Sequence, residues 1–180
     1  MAAHVVVISG LPGAGKSTLA RKISSEIEGV LIPRDRLRRR VLEPFFEIPD
    51  AAAQVPAATS RLVLEFLRLL VAARVVAVLD GNFNTPEHAA RLTRFLGEEG
   101  VAATEVCVWG DLDVLRQRFI DRADPPLTDD LRPYFEKVLH RPHEAVLADP
   151  SAVRHLDSTD LVAFDDQFSS LMTWIRDRVG

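Results

Sequence analysis

A short stretch rich in glycine has the composition of a loop that binds phosphate. Residues 10–18 read GLPGAGKST. The three glycines, Gly10, Gly13 and Gly15, allow the backbone to curl until several N–H groups point at the same phosphate oxygens. A helical pattern follows at once, and the positive N-terminal end of a helix attracts the same anion.

The residues that follow the last glycine define the chemistry further. Positions 10 to 17 have the spacing G-x-x-x-x-G-K-S of a P-loop, and an apolar run typical of a strand precedes them. We expect Lys16 to reach the β- and γ-phosphates and Ser17 to place its hydroxyl on Mg²⁺. Ala14 and Thr18 complete the nucleotide-binding segment. The sequence therefore predicts a site for Mg²⁺ and a nucleoside triphosphate, either ATP or GTP.

A carboxylate that could accept a proton follows the second predicted strand. Asp35 lies in the segment RDRLRRR, and a strand–helix–strand unit brings it back to the cleft that contains Lys16. There it could take the proton of an attacking hydroxyl, while Arg38, one helical turn later, holds an anionic group of the acceptor. The alternative is a helix cap at Asp35 beside a solvated basic face. The other arginines of the segment, to which we assign no role, are Arg34, Arg36, Arg39 and Arg40.

A second acid, Asp80, ends a continuous apolar run. In a nucleotide-binding sheet, a carboxylate at this place binds Mg²⁺ directly or through water. Asn82 or Asn84, in the turn that follows, could contact the acceptor. The alternative is an Asp-Gly turn followed by a helix cap.

Two arginines predict a lid over the nucleotide. Arg118 and Arg122 are four residues apart and share one helix face, and the proline-rich stretch 123–128 follows them. We predict a small lid over approximately residues 116–130, whose arginines neutralise charge on the transferring phosphoryl group. The alternative is an ordinary surface ion pair, for example with Asp121.

The elements that must position these groups alternate along the chain. Apolar runs rich in β-branched residues predict strands at 4–9, 30–32, 75–80, 104–109 and 153–157. Helical spacing predicts helices at 16–28, 35–43, 57–73, 86–98, 112–122, 129–140 and 160–178. This alternation predicts an α/β fold, a parallel sheet with helices on both faces. Segment 57–73, apolar almost all round, is expected to be deeply buried, and 44–56 is expected to be irregular.

The composition limits the classes of protein that remain. The chain has 180 residues, 47% of them hydrophobic, which suits a single domain over 1–180. Its formal net charge of −4 argues against binding long nucleic acid by charge alone. The lone Cys107 cannot form an internal disulfide, and neither a leader nor a membrane span is evident, so we expect a cytoplasmic protein. No zinc site is expected either, since His140 and His143 lack further ligands at the required spacing. No protein partner is evident from the sequence.

Taken together, these motifs resemble the small P-loop kinases of the AAA_33 type. That group includes the kinase domain of polynucleotide kinase, with gluconate kinase, chloramphenicol phosphotransferase and zeta toxin as relatives. The matching stretches cover roughly the whole chain and are GLPGAGKST (10–18), RDRLR (34–38), LDGNFNTPEH (79–88), VLRQRFIDR (114–122) and DPPLTDDLRPYFEKVL (124–139).

The resemblance implies a P-loop fold with five parallel strands flanked by helices and a small helical lid. It implies that the acid matching Asp35 is the general base and that the arginine matching Arg38 contacts the acceptor or its phosphate. The arginines matching Arg118 and Arg122 would belong to the lid that grips ATP.

The acceptor stays open at this stage. We expect an ATP-dependent kinase that moves the γ-phosphoryl group to a hydroxyl of a small molecule or nucleotide-like compound. A polynucleotide 5′-hydroxyl kinase is an alternative, weakened by the acidic balance and the lack of stacking aromatics along a basic groove. A toxin acting on a cell-wall precursor sugar is another. A regulatory nucleotide switch would need neither Asp35 nor Arg38.

Overall fold

Five parallel strands form the central sheet, as the alternation of strands and helices predicts. The computed structural model describes residues 2–42, 51–83, 85–121 and 145–180. The strands are β1 (His4–Gly10), β2 (Val30–Pro33), β3 (Val76–Asp80), β4 (Ala102–Trp109) and β5 (Val153–Asp157). Their order across the sheet is β2-β3-β1-β4-β5, so the loop after β1 emerges at the middle of the sheet's carboxyl edge.

Helices cover both faces of this sheet. Those within the described ranges are α1 (Lys16–Glu26), α2 (Arg34–Leu42), α3 (Ala51–Ala72), α4 (Pro86–Glu99), α5 (Leu112–Asp121) and α6 (Leu161–Val179). None of these helices is long and apolar enough to cross a membrane. The predicted helix at 129–140 and the stretch 123–128 lie outside the described residues.

The central strand is buried on both sides because alternate residues of a strand point to opposite faces. Val6 and Ile8 pack in one apolar cluster with residues of α1 and α6. Val5 and Val7 pack in a second cluster with residues of α3 and α4. The loop after β1 therefore starts from a strand that is packed from both faces.

Helix α3 begins earlier than the sequence suggests. It starts at Ala51, so the prediction of irregular structure over 44–56 is wrong from residue 51 onward. Pro56 lies inside the helix, close to its start. Its missing N–H removes one hydrogen bond, which a helix of 22 residues tolerates near its first turns.

Burial of α3 is also less than predicted. Phe66 and Leu69 are 39% and 66% exposed, so the prediction that 57–73 is deeply buried is wrong. The buried positions form one stripe with a spacing of four that includes Thr59, Val63 and Leu67. An almost uniformly apolar sequence gives no signal for which face of a helix meets the sheet.

A buried carboxylate connects the strand before the loop to the segment that begins at residue 145. Glu105 of β4 is fully buried, accepts a hydrogen bond from the Ser9 hydroxyl, and accepts the Val146 and Leu147 N–H groups at 2.7 and 2.9 Å. Burial raises the pKa of Glu105, and these hydrogen bonds oppose the rise. Burial also raises the pKa of Cys107 to about 11, so this thiol is a core group, as expected.

Gly10 lies where β1 and β4 approach each other closely at the start of the loop. Its φ is 134°, and an added Cβ would lie 2.0 Å from the Val108 carbonyl oxygen. We expect Gly10→Ala to lower the free energy of unfolding by more than about 2 kcal/mol, because two paired strands would have to separate.

Gly97→Ala is the matched control, since an added Cβ at this helical glycine meets no atom within 4 Å. It should raise stability by about 0.5–1 kcal/mol. Urea unfolding followed by circular dichroism measures both variants, and equal effects would contradict the packing described for Gly10.

Candidate active site

The glycine-rich segment forms a tight loop between β1 and α1. Gly13 and Gly15 have φ values of 85° and 83°, in the left-handed region that favours glycine. An added Cβ on Gly13 would lie 2.1 Å from the Leu115 carbonyl oxygen, so α5 packs directly on the loop backbone. An added Cβ on Gly15 would meet no atom within 4 Å. The loop is therefore backed by protein at Gly13 and open at Gly15.

Helix α1 and its lysine begin where the loop ends. The Thr18 N–H bonds to the carbonyl of Gly15, which caps the helix in a left-handed conformation. Lys16 Nζ donates to the Leu11 carbonyl oxygen at 2.7 Å, so the ammonium group is held against the loop backbone. The side of α1 that presents Ser17 and Thr18 is exposed. A cationic side chain and a helix N-terminus thus attract anions to the same place.

Strand pairing places Asp80 close to the glycine-rich loop. The parallel register places it beside Ile8 of β1 and beside Pro33 of β2. It is only 7% exposed. The carboxylate is therefore a buried acid at the carboxyl edge of the sheet, next to the strand that leads into the loop.

The electrostatics of Asp80 show which groups surround it. Burial raises the pKa of its carboxyl group, and the nearby charge of Asp35 adds to the rise. A hydrogen bond from Ser17 and the charges of Lys16 and Arg21 act in the opposite direction. Helix α1 therefore contributes three charged or polar groups around one buried acid, and α2 contributes a fourth.

The oxygen atoms of Ser17 and Asp80 fit a magnesium ion. A hydroxyl and a carboxylate are hard donors of the kind Mg²⁺ prefers, and this ion usually keeps waters and substrate phosphates as its remaining ligands. Within the described ranges, no group of three or more His, Cys, Asp or Glu side chains could hold a metal ion. Two protein oxygens would leave the other positions of an octahedral ion to water and phosphate oxygens, which suits a cation that arrives with a nucleotide.

Asp35 lies in the first turn of α2, two residues after the strand residue that pairs with Asp80. Its side chain is 56% exposed, and its Oδ1 lies 3.2 Å from Arg34 Nη1. The Arg34 side chain is only 7% exposed, donates to the Asn82 carbonyl oxygen at 3.5 Å, and lies 3.4 Å from His88 Nε2. A buried arginine anchored to the turn after β3 therefore holds an accessible carboxylate.

Two cavities meet at the first turn of α1. The α1–α2 cavity, of about 570 Å³, is lined by Ser17, Arg21, Leu31, Pro33, Asp35, Arg36, Arg39, Arg40 and Asp80. The α5 cavity, of about 400 Å³, is lined by Gly13, Ala14, Gly15, Thr18, Arg118, Asp121, Ser158 and Phe164. Because Ser17 lines the first and Thr18 lines the second, the start of α1 separates the two.

Most of the predicted site residues lie at this junction. Ser17, Asp35 and Asp80 line the α1–α2 cavity, and Gly13, Ala14, Gly15 and Thr18 line the α5 cavity. Arg118 also lines the α5 cavity, where its guanidinium donates to the backbone carbonyls of Ser158 and Thr159.

Arg38 lies apart from these residues. It is exposed, and it is not among the described residues that line either cavity. Helical spacing explains this position, because successive residues turn by about 100° and Arg38 falls beside the buried Arg34. Arg122 and Asn84 lie outside the described residues, so their predicted roles stay predictions.

Three residues without a role predicted from the sequence lie around Asp80 and Asp35: Arg21, Arg34 and His88. Arg21 lies four residues after Ser17, and this spacing is a signal that could have identified it. Arg34 and His88 are brought together by tertiary packing between α2 and the start of α4, which no local pattern reveals. Burial, with the nearby Arg34 charge, lowers the pKa of His88, which favours a neutral imidazole.

A family model, described as an AAA domain, matches residues 5–151 of the chain. The chain belongs to the AAA_33 family. The matched residues include the glycine-rich loop, Asp35, Asp80 and α5. The resemblance inferred from the sequence motifs is thereby confirmed.

The curated relatives of this AAA_33 chain are longer proteins. The uncharacterized proteins Mb2027c of Mycobacterium bovis and Rv2004c of Mycobacterium tuberculosis are each 29% identical over 130 residues, or 67% of this chain. The match covers 26% of each relative, so the chain spans about a quarter of their length.

Solved structures share the fold of this AAA_33 chain at low sequence identity. A protein of Chloroflexus aurantiacus, provisionally assigned as a kinase, is 16% identical with a TM-score of 0.77 over 98% of both chains. Kti12 of Chaetomium thermophilum, solved with ADP-AlF3, is 18% identical with a TM-score of 0.71 over 98% of this chain and 99% of that one. The APS kinase CysC of Mycobacterium tuberculosis, solved with AMPPNP and APS, is 18% identical with a TM-score of 0.67 over 97% and 98%. The predicted P-loop fold is confirmed.

Asp80→Asn tests two properties of the buried carboxylate: the stability that its charge costs, and its part in Mg²⁺-dependent nucleotide binding. Because the pKa of Asp80 is raised in the folded chain, its ionisation favours unfolding, and this penalty grows as the pH rises above the ordinary value of 3.8. At neutral pH we expect the variant without ligands to unfold at a higher temperature than the parent, each kcal/mol appearing as about 2–4 °C. The difference should close as the pH falls below that ordinary value.

The same variant should lose the Mg²⁺-dependent part of its stabilisation by nucleotide. Calorimetric unfolding over a pH series, repeated with ATP in Mg²⁺ or in EDTA, measures both effects. Asp177→Asn, at an exposed position of α6, is the control that should change neither. A less stable Asp80→Asn protein at neutral pH would contradict the stated cost of burial.

Proposed function

We propose that the protein is an ATP-dependent kinase that transfers the γ-phosphoryl group to a hydroxyl group of a small molecule. The observation that carries this proposal is the junction of the two cavities at the start of α1. The loop residues from Gly13 to Gly15 line one cavity, whereas Asp35 and Asp80 line the other, beside Ser17. A triphosphate bound on the loop would have its base on the first side and its terminal phosphate facing the second.

The base of the nucleotide would lie in the α5 cavity. This cavity has a largely apolar lining with Phe164 and Arg118 on its walls, and flat apolar and guanidinium surfaces suit a purine ring. Arg118 is already oriented by two backbone carbonyls. The nucleotides held by Kti12 and by CysC in structures of the same fold support ATP as the donor.

Proton transfer is the role that we assign to Asp35. The acceptor hydroxyl gives its proton to the Asp35 carboxylate while its oxygen forms a bond to the γ-phosphorus. The bond from that phosphorus to the β,γ-bridging oxygen breaks, and ADP leaves. The ion pair with buried Arg34 holds the carboxylate at the edge of the cavity that would contain the acceptor.

Charge on the phosphate oxygens must be balanced during this transfer. Lys16, held near the loop by the Leu11 carbonyl, would exchange that partner for phosphate oxygens. The oxygens of Ser17 and Asp80 would hold Mg²⁺, which when bound neutralises phosphate charge. The loop N–H groups and the N-terminus of α1 add fixed positive potential.

A small acceptor suits the α1–α2 cavity. Its volume of about 570 Å³ lies within the range of small-molecule sites. The sugar kinase of Janibacter and the gluconokinase of Sinorhizobium meliloti, which share the fold, support a small hydroxyl compound as the acceptor class. A polynucleotide 5′-hydroxyl kinase would instead show binding that weakens steeply with salt, and a regulatory switch would hydrolyse nucleotide without any acceptor.

Two arginines keep roles that rest on the sequence. We propose that Arg122 closes over the transferring phosphoryl group as part of a lid over approximately 116–130. Arg38 is proposed to orient the acceptor, although Arg39 and Arg40 line the α1–α2 cavity and Arg38 does not.

The acceptor KM of Arg38→Gln and of Arg39→Gln distinguishes these positions. Only the substitution of an arginine that contacts the acceptor should raise the KM.

Lys16→Ala tests the nucleotide site. Removal of an ammonium group that contacts the β- and γ-phosphates should reduce phosphoryl transfer by about 10²-fold or more. The measurement is transfer of labelled γ-phosphate from ATP in a screen of sugars, nucleosides and other alcohols. Lys22→Ala is the control, because Lys22 lies later on the same helix, pairs with Asp165 and lines neither cavity. Unchanged turnover by Lys16→Ala would contradict the assignment of the loop.

Asp35→Asn tests the base. The variant should bind AMPPNP within about twofold of the parent, while transfer falls by about 10²–10⁴-fold, since only proton acceptance is removed. Calorimetric binding and the labelled-ATP assay measure the two quantities separately. If transfer persists at the parental kcat, Asp35 has only a structural role at the start of α2, and another group must take the proton.

A further inference from the structure

We propose that the acceptor carries an oxyanion group, a phosphate or a carboxylate, which binds to an arginine wall in the α1–α2 cavity. The wall consists of Arg21, Arg36, Arg39 and Arg40. This inference rests on the proposed kinase function and names the chemical class of its acceptor.

The charge of the cavity supports an anionic ligand. Four guanidinium groups line it, against the two carboxylates of Asp35 and Asp80. The chain as a whole has a formal net charge of −4, so this excess of positive charge is local and opposite to the overall balance. Guanidinium groups bind phosphate and carboxylate through paired hydrogen bonds, which favours an oxyanion over other anions.

Helical spacing places the wall and the proposed base together. Arg36, Arg39 and Arg40 are separated by three and four residues and therefore share one side of α2. Asp35 is four residues before Arg39 and lies on the edge of that side. An acceptor bound to the wall would thus present its hydroxyl groups to the carboxylate on the same helix.

The arginines of the wall that lie on α2 form no ion pair with a described residue. Among the described residues, no carboxylate forms an ion pair with Arg36, Arg39 or Arg40, whereas Arg68 and Arg176 each pair with a glutamate. An arginine without an acidic partner keeps its hydrogen-bonding capacity for a ligand.

Arg21 connects the wall to the nucleotide loop. Its Nε donates to the Ser17 carbonyl oxygen at 3.1 Å, and its Nη2 lies 3.5 Å from Thr18 Oγ1. These contacts hold the guanidinium against the first turn of α1 and leave further N–H groups available. Leu31 and Pro33 add an apolar surface to the cavity, which suits the carbon skeleton of a small acceptor.

The test measures binding rather than turnover, so it does not need the natural acceptor. Protein saturated with AMPPNP and Mg²⁺ is titrated calorimetrically with sorbitol, gluconate and sorbitol 6-phosphate. These probes share a hydroxylated six-carbon chain and differ in their terminal group. We expect binding of one or both charged probes at millimolar concentration and no binding of sorbitol. Which charged probe binds more tightly distinguishes a phosphate from a carboxylate.

Substitutions then locate the site. Arg39→Gln and Arg40→Gln should each weaken the charged probe by about tenfold or more, the scale of a lost charged hydrogen bond, and should leave AMPPNP affinity within about twofold. The matched control is Arg94→Gln, which removes an exposed arginine from α4, outside both cavities. If Arg94→Gln weakened binding of the charged probe equally, the effect would come from the overall charge of the protein, and the proposal would be overturned.

The remaining outcomes also decide the question. Equal binding of all three probes, or binding of none, overturns the oxyanion subsite. Preferential binding of a 5′-hydroxyl oligonucleotide to the same arginines overturns a small acceptor. Probe binding that depends on Arg39 and Arg40, together with no transfer from labelled ATP to any alcohol in the acceptor screen, would refute the kinase function alone. Transfer to a neutral alcohol that is unaffected by Arg39→Gln would refute this inference alone.

Discussion

The pairing of β1 with its two neighbours is the constraint on which the rest of the site depends. On one side the register pairs Gly10 with Val108 so closely that a side chain could not be accommodated, and on the other it pairs Ile8 with Asp80. A strand packed between helices on both faces has little freedom to shift, because its side chains fit closely against those of the helices. The loop and the acid are therefore positioned by the core itself.

This arrangement places an ionisable group where its charge is costly. Burial raises the pKa of Asp80, and the Asp35 carboxylate raises it further, while the Ser17 hydrogen bond and the cations Lys16 and Arg21 offset part of the effect. A fold selected only for stability would place an apolar residue there. The cost becomes reasonable if the carboxylate meets a cation during function, since a nearby cation favours its ionised form.

The parts of the fold that could be predicted are those encoded by short-range patterns. All five strands were expected within about two residues of their observed ends. The signal is strongest for β1 and β3, because a continuous apolar run identifies a strand that is covered on both faces. The loop was identified by its spacing, and Asp35 and Asp80 by their places after strands. The orientation of α3 was predicted wrongly, because its sequence is apolar on nearly every side. The contact between Arg34 and His88 was not foreseen either, because it depends on how α2 meets α4.

Helix geometry explains why the arginines of α2 occupy different environments despite their identical chemistry. A helix turns by about 100° per residue, so five arginines among seven residues cannot share one face. The first is buried against the turn after β3 and orients Asp35, whereas Arg36, Arg39 and Arg40 line the α1–α2 cavity. One short helix thus supplies both a carboxylate held at the cavity edge and a cationic surface beside it. Because α1 contributes Ser17 and Arg21 to the same cavity, a ligand there would contact the helix that follows the nucleotide loop. Ligands in both cavities would contact the first turn of α1, so we expect occupation of one cavity to alter affinity in the other.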